Sequence, residues 1–191
     1  MNFYLIRHAE YSNPRHILPG RLPVILSKTG ISQAKKLTNY FNNKQIDIIF
    51  SSPVKRCQQT SEIISNNKIP IKYNIELAET FSSFQGFWKR DSSYYYGYQP
   101  ELGGETPQDI LNRVKKFWKD INKQNYKNII ICSHGDPLYI LYTYLANLPI
   151  PNLVSIYEIP SKDYQPKASI REIIVNDKKI KIKNIITVDN L

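Results

Sequence analysis

Cysteine, glycine and histidine are scarce in this 191-residue chain, which contains two, seven and three of them. Two cysteines, Cys57 and Cys132, are too few for a fold that is held together by disulfides. The apolar stretches around them predict buried thiols. No apolar run approaches the ~18 residues that a membrane-spanning helix needs, and the first residues do not resemble a signal peptide. We therefore expect one domain over residues 1–191, located in the cytoplasm.

Acidic residues are also few. The chain has 16 aspartates and glutamates and 26 lysines and arginines, so its formal net charge is +10. Such an excess favours acidic partners, either nucleic acid or small anions. The lysines are spread along the chain among many Ile, Asn and Tyr residues. Charge alone therefore gives weak support to nucleic-acid binding, and an anionic metabolite is the preferred partner.

Short apolar runs alternate with segments of helical periodicity, which predicts an α/β fold: a three-layer sandwich around a mostly parallel central sheet. The predicted strands are Phe3–Ile6, Ile46–Phe50 and Ile129–Cys132. Helix starts are predicted at Ser52–Pro53, Thr106–Pro107 and Asp136–Pro137. Near the end, residues 170–175 and 179–185 flank a hairpin signal, and residues 153–157 are expected to extend the sheet.

One long segment, residues 76–104, follows neither the helix period nor the strand period. A connection of this length in a compact domain is usually functional or forms a small subdomain. We expect a lid insertion over a site; the alternative is an insertion that only covers core. Its aromatic residues are Phe81, Phe84, Phe87, Trp88, Tyr94, Tyr95, Tyr96 and Tyr98.

Cationic side chains follow the ends of the predicted strands. Arg7 and His8 come after the first strand, Ser133 and His134 after the third, and Arg56 lies in the first turn of the helix after the second. In open α/β sheets, ligands bind beyond the carboxyl ends of the strands. Two imidazoles and two guanidiniums at one edge would repel each other without an anion, and phosphate suits them because guanidinium pairs with its oxygens.

Two other uses of these residues stay open. Zinc would need a third ligand beside the two histidines, with Asp136 or Glu10 as candidates, but the two arginines would repel the cation. A Cys–His nucleophile pair would need an exposed thiol, whereas Cys132 lies inside a predicted strand.

Five sequence blocks, in order, resemble the histidine phosphatase superfamily, which includes the cofactor-dependent phosphoglycerate mutases. The first is Leu5-Ile6-Arg7-His8-Ala9-Glu10, and the last is Ser133-His134-Gly135. Between them lie Gly20-Arg21 with Leu26–Ala34, then Ser51–Thr60, and then Gly103-Gly104-Glu105-Thr106 followed by Arg113. The resemblance spans residues 5–141 and therefore covers most of the chain.

The resemblance implies that His8 is a nucleophile that forms a phosphohistidine. It implies that Arg7, Arg56 and His134 bind the phosphoryl group, that water hydrolyses the phosphoenzyme, and that no metal or organic cofactor takes part. It further suggests Asn13 and Arg21 as substrate-binding residues. His8 must attack as neutral imidazole, and the arginines should favour that form by lowering its pKa.

The sequence departs from the family pattern at Pro23 and Ile25, where an Asp and a Pro are common, and at Ala9, where Gly is commoner. The expected general acid is Glu79, although its distance from the following Gly86 is longer than usual. Asp136 is the rival acid; its other role would be to cap the helix. Either acid must stay protonated near neutrality, which burial or a neighbouring negative charge would achieve.

These residues predict a phosphatase that hydrolyses a small phosphorylated metabolite, with no membrane partner. The short chain disfavours the alternative, a phosphoglycerate mutase. A noncatalytic module that binds anions or nucleic acid is a further alternative, which the intact Arg7, His8, Arg56 and His134 disfavour. The sequence does not identify the ester, and a homodimer is compatible with it.

Overall fold

The order of strands and helices along the chain alternates as predicted. The computed structural model describes residues 1–87, 103–151, 162–176 and 179–190. In chain order these contain β1 (Asn2–Arg7), α1 (Lys28–Phe41), β2 (Ile48–Ser51), α2 (Lys55–Ser65), β3 (Ile71–Tyr73), α3 (Pro107–Ile121), β4 (Asn128–Ser133), α4 (Gly135–Leu145), β5 (Ile170–Asn176) and β6 (Lys179–Ile186). Short 3-10 turns cover Ile75–Leu77 and Val188–Asn190.

The strands form one sheet in the order β3-β2-β4-β1-β5-β6. β1, β2, β3 and β4 pair in parallel, whereas β5 pairs antiparallel with both β1 and β6. Arg7 at the end of β1 lies opposite Ser133 at the end of β4, and Ser51 of β2 lies opposite Cys132. The carboxyl ends of β1, β4 and β2 therefore meet at one edge of the sheet, which is where the cationic residues were expected.

Two apolar layers cover the sheet, one on each face. Successive strand side chains point to opposite faces, so Phe3 and Leu5 of β1 enter the core with α3 and α4, while Tyr4 and Ile6 enter the core with α1 and α2. The three-layer α/β sandwich with a mostly parallel sheet is confirmed. Among the described helices, none combines the length and the apolarity that crossing a bilayer would require.

The predicted helix starts are right at one place and shifted at two. Thr106 and Asp109 form the expected capping box of α3. At the second start, α2 begins at Lys55 and not at Pro53, because the Ser52 hydroxyl accepts from the His134 Nε2–H and from the Val54 N–H and caps no N–H of the helix. At the third, α4 begins at Gly135, with Asp136 inside its first turn and not at the cap.

Of the strand and thiol predictions, one strand is shifted and both thiols are as expected. The second strand is Ile48–Ser51, shifted from the predicted Ile46–Phe50, and Cys57 and Cys132 are free, buried thiols as expected. The β5–β6 hairpin is present. The sheet extension predicted for residues 153–157 lies outside the described residues.

The predicted lid is described only at its two ends, because residues 88–102 lie outside the described residues; Trp88, Tyr94, Tyr95, Tyr96 and Tyr98 are among them. Its first part packs on the loop after β1. The Leu18 N–H donates to the Phe87 carbonyl and the Gly86 N–H donates to the Leu18 carbonyl, each at 2.8 Å. A lid role stays a prediction.

Candidate active site

His8 follows β1 directly and is 1% exposed. Its Nδ1 lies 2.8 Å from the Ala9 carbonyl. A carbonyl oxygen only accepts, so Nδ1 carries the proton and Nε2 keeps its lone pair. Burial, and then the charges of Arg56 and Arg7, lower the pKa of His8 well below its ordinary value. The imidazole is therefore neutral, with Nε2 as a nucleophilic atom.

Arg56, in the first turn of α2, joins the other site residues. Its Nε donates to His8 Nε2 at 3.0 Å, and its Nη2 donates to His134 Nδ1 at 2.9 Å and to Glu79 Oε2 at 3.2 Å. A further bond from Nη2 reaches the Gly20 carbonyl at 2.9 Å. The guanidinium is buried, and within the described residues its Nη1 has no acceptor. This unpaired donor suits an incoming oxyanion.

His134 is the N-cap residue of α4 and is fully buried. Because Arg56 can only donate, His134 Nδ1 accepts, and the Nε2–H donates to the Ser52 hydroxyl at 2.8 Å. Its ring centroid lies 5.1 Å from that of His8. Burial, followed by the charge of Arg56, lowers the pKa of His134 well below its ordinary value.

Arg7 completes the group of four. Its Nη1 donates to the Gln165 carbonyl at 2.8 Å, and its guanidinium carbon lies 5.0 Å from the centroid of the Tyr164 ring. Its Nε is buried and has no acceptor among the described residues. We call His8, Arg7, Arg56 and His134 the cationic cradle. Arg56 contacts both histidines, and the charge of Arg7 lowers the pKa of both, so the four residues surround one space that suits an anion.

The sequence and structure comparisons identify the family. Residues 3–185 match the model of the histidine phosphatase superfamily (branch 1). The chain belongs to this superfamily. Among its relatives is the adenosylcobalamin/alpha-ribazole phosphatase of Escherichia coli, 27% identical over 164 residues, which are 78% of this chain and 81% of that protein. Another is phosphoserine phosphatase 1 of Hydrogenobacter thermophilus, 27% identical over 164 residues and covering 76% of each chain.

A solved structure agrees with this assignment at the level of the fold. The alpha-ribazole phosphatase of Shigella flexneri superimposes with a TM-score of 0.84 at 24% identity, over 98% of this chain and 97% of that one. The fold, the family match and the phosphatase relatives together make this chain an enzyme that hydrolyses phosphate esters.

Two carboxyl groups lie beside the cradle of this histidine phosphatase, with different contacts. Glu79 Oε2 contacts Arg56 and lies 3.5 Å from His134 Nδ1. Asp136 accepts hydrogen bonds from the hydroxyls of Thr80 and Tyr164, at 2.9 and 2.8 Å. Burial, followed by the charge of Glu79, raises the pKa of Asp136 to about 7. Glu79 therefore touches the cradle directly, while Asp136 contacts Thr80 and Tyr164 and is partly protonated near neutrality.

A metal ion would have to compete with Arg56 for this space. One ligand atom each of His8, Glu79 and His134 lies within 4.8 Å of the others, a spacing that a metal could use. The same three side chains already receive hydrogen bonds from the Arg56 guanidinium. A cation would displace a buried positive charge and then be repelled by it, so the site is better suited to an anion. Neither Asp136 nor Glu10, the third ligands considered from the sequence, belongs to this group.

The two predicted substrate-binding residues form their hydrogen bonds outside the cradle. The Asn13 amide donates to the Ile17 carbonyl at 2.8 Å and accepts from the Ile17 N–H at 3.2 Å. Arg21 donates to the Glu79 carbonyl at 2.7 Å and pairs with Glu105 at 2.9 Å. The structure thus does not bring either side chain into contact with the cradle, and their role in substrate binding stays a prediction.

Glu105 and Arg113, from the fourth sequence block, form a clamp beside Glu79. Arg113 donates to both carboxylate oxygens of Glu105, at 2.9 and 3.1 Å, and to the Glu76 carbonyl at 2.6 Å. Glu105 also accepts from the Phe81 N–H at 2.9 Å. These bonds hold the backbone on either side of Glu79 and so position its carboxyl group.

Sequence reasoning missed three residues around the cradle. Ser52 was interpreted as a helix cap, but its hydroxyl accepts a hydrogen bond from the Nε2–H of His134. Tyr164 and Gln165, distant in the sequence, hold Arg7 from the other side. A weak signal existed only for Ser52, which follows a strand at the same edge; nothing in the segment that contains Tyr164 and Gln165 marks it as part of the site.

Proposed function

We propose that this phosphatase hydrolyses phosphomonoesters of small anionic metabolites through a phosphohistidine on Nε2 of His8. The observation that carries the proposal is the hydrogen bond from His8 Nδ1–H to the Ala9 carbonyl. It leaves the Nε2 lone pair facing the cradle, so a bound phosphoryl group would meet a nucleophile among donors for its oxygens.

In the first step, Nε2 attacks phosphorus, the P–O bond of the ester breaks, and the leaving oxygen takes a proton from Glu79. In the second, water attacks phosphorus, the P–N bond breaks, and Glu79 recovers a proton from that water. Inorganic phosphate leaves and His8 is regenerated. Glu79 is favoured as the acid because of its position, since its carboxyl group is the one of the two that reaches the cradle.

Two rearrangements accompany phosphate binding in this mechanism. Arg56 Nε turns from the His8 lone pair to a phosphate oxygen, which frees Nε2. His134 Nδ1, which accepts from Arg56, must gain a proton before it can donate to a phosphate oxygen. Phosphate binding is therefore expected to be coupled to proton uptake at His134.

The decisive experiment compares His8→Ala with His16→Asn, which alters the third histidine, an exposed residue outside the cradle. We expect His8→Ala to lower turnover by roughly 10³-fold or more and to abolish an acid-labile ³²P adduct in rapid quench. His16→Asn should retain both. Near wild-type turnover in His8→Ala would overturn the mechanism, and loss of activity in EDTA would indicate a metallophosphatase instead.

The substrate and the setting of the enzyme are also proposals. A panel of phosphorylated metabolites would identify the ester, and faster isomerisation of 3-phosphoglycerate than hydrolysis of any ester would favour the mutase alternative. Free, buried Cys57 and Cys132 support a reducing, cytoplasmic location, which fractionation would test. A homodimer is a prediction that light scattering would test.

A further inference from the structure

A second cavity of about 550 Å³ lies away from the cradle. It is bounded by the second half of α4, by β6 and by the segment that leads into β5. None of the four cradle residues and neither Glu79 nor Asp136 lines it. The lining residues that matter here are Tyr142, Lys162, Asp163, Arg171, Lys183 and Asn184.

Arg171 is the unusual residue of this cavity. It lies opposite Leu5 in the β1–β5 register, so its side chain enters the apolar layer under α4. Only 3% of the residue is exposed, and its guanidinium carbon lies 3.7 Å from the centroid of the Tyr142 ring. Burying a guanidinium costs free energy unless hydrogen bonds and a counter-charge compensate it.

The compensation that the described residues give to Arg171 is incomplete. Nη2 donates to the Asp163 carbonyl at 3.0 Å. Nε and Nη1 are buried and have no acceptor among the described residues. The Asp163 carboxylate is engaged elsewhere, since it accepts from the Tyr142 hydroxyl at 3.2 Å.

The same signature marks the cradle. Among the described residues, buried guanidinium nitrogens without an acceptor occur in three arginines: Arg7, Arg56 and Arg171. The first two surround the space that suits a phosphoryl group. The third lies in a separate cavity whose lining includes two exposed lysines, Lys162 and Lys183, the second of which is paired with the Glu172 carboxylate at 2.8 Å. Among the described lining residues, Asp163 is the one with a carboxylate, beside the positive charges of Arg171 and Lys162.

We propose that this cavity is a second anion site, which binds a small ligand carrying a phosphate or carboxylate group against Arg171. The unpaired N–H groups of the guanidinium supply the donors, Lys162 supplies charge at the entrance, and the Tyr142 ring holds the guanidinium in place. Asn184 adds a neutral donor.

The test is a titration of the ¹⁵N-labelled full chain with sodium phosphate, and separately with sodium malonate, at constant ionic strength. We expect two groups of amide shifts: one around residues 7–8, 56 and 134, and one around 142, 162–166, 171 and 182–185. Arg171→Leu should weaken the second response at least tenfold and leave the first unchanged. Arg56→Gln should do the reverse, so that failure of this proposal and failure of the catalytic proposal are distinguishable.

An exposed lysine provides a variant that does not alter the core. Lys162→Gln should weaken the second response several-fold, whereas Lys181→Gln removes an equal charge outside the cavity and should not. No second group of shifts with either anion would overturn the proposal. So would a second group whose affinity is unchanged in both Arg171→Leu and Lys162→Gln.

Discussion

At the scale of single residues, Thr80 links the two carboxyl groups beside the cradle. Its N–H donates to Glu79 at 3.0 Å and its hydroxyl donates to Asp136 at 2.9 Å. Glu79 alone of the two touches Arg56. The proton that reaches the leaving group should therefore come from Glu79, with Asp136 acting only through its neighbours.

We expect Glu79→Gln to lower kcat by about 10²–10⁴ for an alkyl phosphate, whose leaving oxygen needs a proton. The loss should be much smaller for 4-nitrophenyl phosphate, whose leaving group is stable without one. Asp136→Asn, the matched control, should cost far less with the alkyl ester. Steady-state kinetics with both esters would check this, and the opposite ranking of the two variants would assign the acid role to Asp136.

A second prediction concerns the proton on His134. Sulfate keeps its charge across the neutral range, so a competitive Ki for sulfate reports the protonation of the protein. Since the pKa of His134 is well below its ordinary value and an anion would raise it, the Ki should increase as pH rises. His134→Gln, which cannot gain a proton, should flatten the profile; an equally steep profile in that variant would contradict the linkage.

The residues of the cradle were predictable because each follows a buried strand or begins the helix after one, and parallel neighbours bring such positions together. Their partners were not. Ser52 follows a strand and precedes Pro53, a pattern that favours a helix cap, and only the position of His134 decides otherwise. Arg171 occupies a strand position that the sequence pattern does not distinguish from a solvent-facing one.

At the scale of elements, the start of α1 is held against the loop after His8. The Ser27 N–H donates to the Glu10 carbonyl at 3.1 Å, and Ser27 caps the helix at Gly30. A Cβ on Gly30 would lie 1.8 Å from that carbonyl oxygen. The helix can approach the loop this closely only because residue 30 has no side chain.

Gly30→Ala is therefore expected to destabilise the protein by ~1–3 kcal/mol, because either the helix or the Glu10 backbone must move. Thr29→Ala, at the exposed neighbouring position, should change the free energy of unfolding by less than ~0.5 kcal/mol. Urea denaturation of both variants would measure the difference. Equal stabilities would show that the approach is looser than described.

The elements themselves were largely predictable. The α3 start followed from Thr106, Pro107 and Asp109, whose capping box depends only on local sequence. The α2 start was misplaced because a tertiary contact outweighs the local preference for a serine cap. The strand order was not predictable in full, since the antiparallel placement of β5 beside β1 has no local signature.

At the scale of the whole molecule, three groups in and beside the cradle contribute to how stability responds to acid. The pKa values of His8 and His134 are lowered, so the unfolded chain binds more protons below about pH 6.5, and stability falls as the pH falls. Asp136 has a raised pKa of about 7. Its contribution is present at low pH and is lost as the pH rises from about 4 to 7, which opposes the histidines.

Between pH 6 and pH 5 the unfolded chain binds about two more protons than the folded chain at the histidines, and about one fewer at Asp136. The net difference is about one proton, so the free energy of unfolding should fall by up to about 1.4 kcal/mol per unit of pH. Asp136→Asn removes the opposing contribution and should make this slope about twice as steep. Denaturation at a series of pH values would measure both slopes. A slope that is shallower in Asp136→Asn than in the wild type would contradict the sign.

The bond from Arg56 Nε to His8 Nε2 gives the enzyme chemoselectivity. While it is intact, the lone pair that would attack phosphorus already accepts a hydrogen bond. An alkylating agent or other neutral electrophile has no anionic oxygens that could draw the guanidinium away from the ring. A phosphate ester brings oxygens that attract Arg56 away from the ring. The reagent that the nucleophile is meant to attack is thus also the one that exposes it.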